Sequence, residues 1–188
     1  MGDAPEPATM RSLLAVALVA ASASAASAGT YLGLGIGTAA SPGGDMTQTS
    51  SDGNRSGRVM LGMRFGQLSI EGAGSRFGLF RGSSPYQGTT LAAALKYSLP
   101  LGDSFDAYGR GGLQRTWLST DNTGIADWAG NGWLLGGGFE YHLNLAATAA
   151  SVFVDYEHTD TTLMNQTDMK TQKDETIGLW TLGVTLSI

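Results

Sequence analysis

The sequence predicts one all-β domain, an eight-stranded antiparallel transmembrane up-and-down β-barrel, exported behind a cleavable signal peptide. Three observations predict it. Apolar residues alternate with small or polar ones along eight successive segments. The links between segments are long and short by turns. The chain opens on a secretory address rather than on structure.

Residues 1–28 form the first region, an N-terminal extension plus the signal peptide, and residues 29–188 the barrel. Met10-Arg11-Ser12 precedes a short apolar core over 13–20, and small residues end in Ala26-Ser27-Ala28 before Gly29. One positive charge, a short apolar core and an A-x-A site are the signal pattern; the core is too short for a membrane anchor. Asp3, Glu6 and two prolines before Met10 fit the basic first region of a signal badly, so translation is expected to start at Met10.

The first strand, over 30–39, places Leu32, Leu34 and Ile36 on one face and Gly33, Gly35 and Gly37 on the other. The second, 58–66, sets Val59, Leu61, Met63 and Phe65 against Arg58, Met60, Gly62 and Arg64. The third, 68–77, sets Leu68 and Ile70 against Ser69 and Glu71. The fourth, 90–99, sets Leu91, Ala93, Leu95, Tyr97 and Leu99 against Ala92, Ala94, Lys96 and Ser98. Strands over 106–118, 133–143, 151–159 and 176–188 continue the pattern. Each is near the length that a tilted strand needs to cross a bilayer. Segments 40–57, 78–89, 119–132 and 160–175 are polar and rich in Gly, Ser, Thr, Asn and Asp, and are expected to be long extracellular loops. The short links near 66–67, 100–104 and 144–149 are then periplasmic, as are both chain ends.

Composition agrees. Charged residues are only 14% of the chain, yet no stretch is apolar over the roughly 18 residues of a membrane helix. A soluble β-sandwich also alternates, but it turns a charged face to water. Here the second face is Gly, Ala, Ser and Thr with isolated charges. Cysteine is absent, which excludes disulfide scaffolds and thiolate metal sites. The net charge of −5 argues against a nucleic-acid partner, which calls for clustered Lys and Arg. No cofactor is expected. Gly33-x-Gly35-x-Gly37 lacks the spacing of a nucleotide-binding loop, and Asp121 to Gly124 lacks that of a calcium loop.

A barrel of about eight strands is just wide enough for side chains to fill it. The inward charges are Arg58, Arg64, Lys96 and Arg110 against Glu71, Glu140, Asp155 and Glu157. Pairing into a lumen charge network is the expectation, because an unpaired buried charge is costly; a gated ion path is the alternative. The glycines at 109, 111, 112 and 136–138 should make room for inward Tyr108, Leu134 and Phe153, or permit a sharp bend of the wall. Outward aromatics should mark the membrane interfaces, Phe65, Tyr97, Phe105 and Tyr141 on the periplasmic side and Trp117, Trp133 and Trp180 on the outer side. Arg76 and Arg115 also face outward. Mid-bilayer they would cost about 2–4 kcal/mol each, so they belong at the outer rim beside lipid phosphates. His142 is expected inward near the periplasmic end and His158 at an outer strand end. His158-Thr159-Asp160 carries Asp where a barrel deacylase would carry Ser, so catalysis is not expected.

The segments Tyr31-Leu32-Gly33-Leu34-Gly35-Ile36-Gly37, Leu68-Ser69-Ile70-Glu71-Gly72, Asp106-Ala107-Tyr108-Gly109-Arg110-Gly111-Gly112 and Gly136-Gly137-Gly138-Phe139-Glu140-Tyr141, with the alternating end, resemble those of a known superfamily. It is the outer-membrane β-barrel superfamily of opacity-type surface proteins and the transmembrane domain of outer-membrane protein A. The resemblance implies location in the bacterial outer membrane. It implies contact with outer-membrane lipid, and recognition of the final strand by the barrel-assembly machinery. That strand ends on Ile188 where the family's last outward residue is usually aromatic. The resemblance further implies a non-enzymatic protein acting through its four loops in adhesion, as a surface antigen or in envelope integrity. A narrow channel for small or hydrophobic solutes is the alternative. Strand patterns specify the fold and do not choose between these functions.

Overall fold

The computed structural model describes residues 29–44, 49–51, 53–81, 84–122, 125–145 and 148–188. The expected signal peptide over 1–28 lies outside them. Among the described residues ten antiparallel strands form one sheet: β1 (Gly29–Gly37), β2 (Ser41–Gly44), β3 (Thr49–Ser51), β4 (Ser56–Phe65), β5 (Leu68–Arg81), β6 (Ser84–Pro100), β7 (Phe105–Ser119), β8 (Trp128–Leu145), β9 (Thr148–Asn165) and β10 (Gln172–Ser187). Eight of them make the wall. From β4 to β10 each pairs with the next, and β1 pairs with both β4 and β10. The sheet therefore closes on itself.

The seam runs from Tyr31↔Ser187 to Gly37↔Thr181 without a break. Backbone bonds extend it at both ends, from the Ile188 N–H to the Thr30 carbonyl and from the Thr38 N–H to the Trp180 carbonyl, 2.9 Å each. β2 pairs with β10 beyond the end of β1, and β3 with β5 beyond the end of β4. They prolong the first two walls past interruptions at 38–40 and 53–55. The tight turn at Gly66-Gln67 uses a positive φ at Gly66, which costs glycine nothing.

Alternation sorts the side chains as the pleat requires. Leu32, Leu34 and Ile36 of β1, Ile70 of β5, Leu95 of β6 and Leu135 of β8 are exposed on the outer face. Arg58, Glu71, Lys96, Arg110, Glu140, Asp155 and Glu157 are buried inside. No helix among the described residues is long and apolar enough to cross a membrane; the wall of strands carries the apolar surface instead.

The segments expected to be loops at 78–89, 119–132 and 160–175 are a correction. β5 runs on to Arg81 and β6 starts at Ser84, β8 starts at Trp128, β9 reaches Asn165 and β10 starts at Gln172. Most of 78–89 and of 160–175 is paired hairpin, whereas in 119–132 only Ser119 and residues 128–132 are paired. The first long segment, 40–57, likewise contains β2 and β3. The reason lies in how polarity changes along the strands. On β5 the inward residues Ser69, Glu71 and Ser75 give way to Phe77 and Leu79. On β7 Gln114 and Thr116 give way to Leu118, on β9 Thr159 and Thr161 to Leu163, and on β10 Thr185 and Thr181 to Leu179 and Ile177. At the same height the outward face turns polar, with Arg76, Gln87, Arg115, Asn131, Thr162 and Asp174 exposed. Below this line the barrel is polar inside and apolar outside, as lipid demands. Above it the hairpins bury mainly apolar residues, with the carboxylate of Glu175 buried on the same face of β10 as Ile177, and turn polar residues outward, as water demands. The inward residues there join Ala40, Tyr86 and Trp128 in one buried cluster that caps the distal end, the end away from the chain termini.

The glycines of β8 have two uses. A Cβ on inward Gly138 would collide with the Val154 carbonyl and with Asp155, and one on Gly136 would lie 3.1 Å from Nε of Arg110. Their absence admits the charged side chains and lets the wall bend closely. Outward Gly109 has nothing within 4 Å of a built Cβ. Gly138→Val is therefore expected to destabilise the barrel by about 1–3 kcal/mol or more, because the opposing atoms are backbone. Gly109→Val should be neutral or slightly stabilising. Urea midpoints of protein refolded in detergent check this, and equal midpoints for the two variants would contradict it.

Candidate functional site

The lumen is filled in layers. Nearest the termini, His142 of β8 bridges two neighbouring strands. Its Nδ1 lies 2.9 Å from Oγ of Ser151, and its Nε2 lies 2.9 Å from Oδ2 of Asp106. Register creates the group, since His142 pairs with Ser151 and Asp106 with Glu140. It contains the residue types of a nucleophilic triad, but the ring is turned the other way. In such a triad the acid holds Nδ1 and the hydroxyl meets Nε2. Sequence reasoning placed His142 inward and missed both partners.

The next layer holds the charges. Glu140 accepts from Lys96 Nζ at 2.8 Å, from Arg64 Nη2 at 3.1 Å and from Thr185 Oγ1 at 3.4 Å. Glu71 accepts a 2.5 Å bond from the Tyr31 hydroxyl and forms longer ion pairs with Lys96 at 3.7 Å and Arg110 at 3.6 Å. Arg110 also reaches Asp155 at 2.9 Å and Glu157 at 2.8 Å. Arg58 pairs with Asp155 at 3.3 Å and with Glu157. The Tyr108 hydroxyl donates to Asp155 at 3.1 Å, and Lys96 Nζ sits 4.1 Å from the Tyr108 ring centroid. The eight side chains singled out from the sequence thus meet in one cluster drawn from six strands. Only Arg64 is substantially exposed, 30% of its side chain against 4% or less for the others.

Above the charges, Gln114 Nε2 donates to Thr161 at 3.0 Å and to Thr116 at 3.2 Å. The apolar cap follows. It was missed because Ala40, Leu79, Tyr86, Trp128 and Leu163 fell in segments composed like loops, while Phe77, Leu118, Ile177 and Leu179 stood at the ends of expected strands with no sign that they meet. The detectable signal was alternation that persists at Phe77, Leu79 and Leu118.

On the outer face, Phe65, Tyr97, Phe105, Trp133, Tyr141 and Trp180 are exposed, and Trp117 is half-buried. Phe105 stacks on Phe139 with centroids 5.5 Å apart, and Tyr156 meets Trp180 at 5.1 Å. Arg115 lies 5.4 Å from the Trp117 ring centroid, and Arg76 donates to the side-chain carbonyl of Gln87. His158 is outward against Trp133, 5.9 Å between centroids. Among the described residues no group of His, Cys, Asp and Glu could hold a metal ion.

A family model described as the outer membrane protein beta-barrel domain matches residues 12–186. The chain belongs to this family. Solved structures agree on the fold of this outer-membrane barrel. Neisserial surface protein A is 16% identical, with a TM-score of 0.68, 85% of this chain covered and 97% of that one. Ail, the attachment invasion locus protein of Yersinia pestis, is 14% identical, with a TM-score of 0.55 and coverage of 86% and 99%. OprG from Pseudomonas aeruginosa is 13% identical, with a TM-score of 0.50 and coverage of 86% and 96%. No curated protein matches the chain by sequence. The chain is therefore a bacterial outer-membrane protein whose wall exposes Leu, Ile and Val on its outer face and whose lumen is filled by the charge cluster.

The barrel's ion pairs are buried and mutually dependent. Removing one partner strands the others in a low-dielectric site, at a cost of about 3–5 kcal/mol. Glu140→Ala is expected to lose that much, because Lys96 and Arg64 both point at it. Glu140→Leu combined with Lys96→Met should recover part of the loss. Unfolding in urea, followed by tryptophan fluorescence, is the measurement, and an unshifted midpoint for Glu140→Ala would show that Lys96 and Arg64 are solvated.

Proposed function

We propose that this protein is a non-enzymatic surface protein that meets an external partner through its distal hairpins, with both chain ends in the periplasm. The observation that supports this most is the coincidence of a lumen filled by paired charges with an apolar cluster across its distal end. A conducting path would have to open both. The hairpins above the polarity line expend buried apolar residues on holding their own shape beyond the lipid. A rigid platform presenting a surface needs that, and a pore does not.

The tips carry charges of both signs, with Arg55, Asp121, Asp127, Asp168, Lys170 and Lys173 among the described residues. In the turn after β9, Asp168 accepts from the N–H groups of Lys170 and Thr171 and from the Thr171 hydroxyl. These bonds hold its carboxyl below the usual range. Fixed charges of this kind suit recognition. Fold relatives support a surface role: one is named a surface protein and another an attachment invasion locus protein, and Ail has also been solved with the heparin analogue sucrose octasulfate.

The inverted nitrogen roles at His142 support the non-enzymatic reading. The outward row Trp180, Leu182, Val184 and Leu186 on β10 suits both lipid contact and recognition by the barrel-assembly machinery. The aromatic residues Phe65, Tyr97, Phe105 and Tyr141 would sit at the periplasmic interface, and Trp117, Trp133 and Trp180 at the outer one.

Two measurements test the proposal. Trypsin on intact cells should cut after Arg55 or Lys170, whereas a protease selective for aspartate should leave Asp103 uncut until the cells are lysed; cleavage at Asp103 in intact cells would reverse the orientation. Refolded protein in planar bilayers should show no stable unitary conductance, and a reproducible conductance step would establish the channel reading instead.

A further inference from the structure

Around the distal edge of the apolar belt the outward face changes sign. On β9 and β10 it presents His158, Asp160 and Asp174. On β5 to β8 it presents Arg76, Gln87, Thr89, Arg115 and Asn131, and no carboxylate among the described residues of those strands. Arg76 stands opposite Thr89, Thr89 opposite Trp117, and Arg115 opposite Asn131. Strand spacing and rise then put the two arginine Cα atoms roughly 12 Å apart, within joint reach of one headgroup. Both guanidiniums are steadied, one over Trp117 and one by Gln87, and each keeps further N–H donors. Neutral donors lie between and beside them.

The wall below this rim is shaped as well as apolar. On β7 the outward residues pass from Leu113 to Gly111 and Gly109. The two glycines floor a shallow groove of about 470 Å³ flanked by Leu95, Tyr97, Leu99 and Leu135. Neither glycine Cβ position is closely approached by other protein atoms. The groove therefore opens to whatever surrounds the barrel, which in the membrane is lipid.

We propose that the β5–β8 sector is a binding site for one phosphorylated lipid of the outer leaflet. Arg76 and Arg115 take the headgroup phosphate, with Gln87, Thr89 and Asn131 beside it, and an acyl chain runs down the wall toward the groove. Charge-assisted bonds from planar guanidiniums to phosphate are strong and directional. The height is fixed by the line where inward Phe77 and Leu118 replace polar residues. A cation on that line stays out of hydrocarbon and meets the headgroup layer. The leaflet named rests on the orientation proposed above, whereas the site itself does not.

The test uses refolded full barrel in detergent, where orientation plays no part. It is titrated with bis-phosphorylated lipid A and with its dephosphorylated form, and bound lipid is counted by native mass spectrometry. The expected result is one tightly held phosphorylated lipid per barrel and at least 10-fold weaker retention of the dephosphorylated form. Arg76→Gln with Arg115→Gln should weaken binding by a similar factor while the protein stays heat-modifiable on gels. Arg76→Lys with Arg115→Lys should restore only part of it, because an ammonium keeps the charge without the planar fork, and Asp160→Asn with Asp174→Asn should change nothing. Equal binding of the two lipids, or unchanged binding by the double glutamine variant, overturns the proposal. Displacement of the lipid by millimolar inorganic phosphate would make this a simple anion site and overturn it too. If protease mapping reverses the topology while these results stand, the site holds and the leaflet changes.

Discussion

Every backbone N–H and C=O in this wall has to find its partner within the protein, because hydrocarbon offers none. A single open edge would leave a row of such groups unpaired, each costing several kcal/mol. The seam between β1 and β10 removes that edge, and most of what else is seen follows from it. Closure by eight walls fixes a narrow bore, and a narrow bore has to be filled. The pleat then assigns every second residue to that filling, so the residues between are left to the lipid. Apolar outside and polar inside are two results of one geometrical demand.

The contents of the bore follow from the same demand. The charge cluster holds seven closely buried charged side chains, with Arg64 at their edge, and each of them finds an opposite charge. Ion pairs of this kind add little net stability over a well-packed apolar filling. Their effect is on register. Moving one strand by one residue would turn its charges into lipid and its leucines into the lumen. The network thus penalises every misaligned wall, which matters most where strands such as β1 are rich in glycine and weakly specified by side-chain bulk. Beyond the lipid the rule reverses. Phe77, Leu79, Leu118, Leu163 and Ile177 fill the bore because the outside now faces water and the ordinary hydrophobic drive is restored.

The part of the chain inside the lipid belt was legible in the sequence. There the alternation is strict and its two faces differ in kind, so 58–66, 90–99 and 176–188 read directly as walls. The distal hairpins were not legible, because the polarity of the two faces exchanges partway along each strand. Gly, Ser, Thr and Asn around 84–90 and 128–132 then look like loop composition, although they occupy paired positions. The charge cluster could be listed from alternation but not wired. Which acid meets which base depends on the reach of side chains across the bore, from β4 to β9 for Arg58 and Asp155. The contact of His142 with Ser151 was closer to the surface of the sequence. A hairpin centred between 146 and 147 places the two opposite each other, as it does Tyr141 and Val152. The sign change around the rim needed strand order as well as direction, since it sets β5 to β8 against β9 and β10.

Closure itself is best tested by hydrogen exchange of individual amides in detergent-refolded protein. The account predicts that Leu34 and Ile36 of β1 and Leu182 and Val184 of β10 are protected as strongly as Ala93 and Leu113 on the opposite wall, and that all exchange together through global unfolding. Amides of β1 and β10 that exchange orders of magnitude faster than those of β6 and β7 would mean an open edge at the seam, and would contradict the closed barrel on which the rest depends.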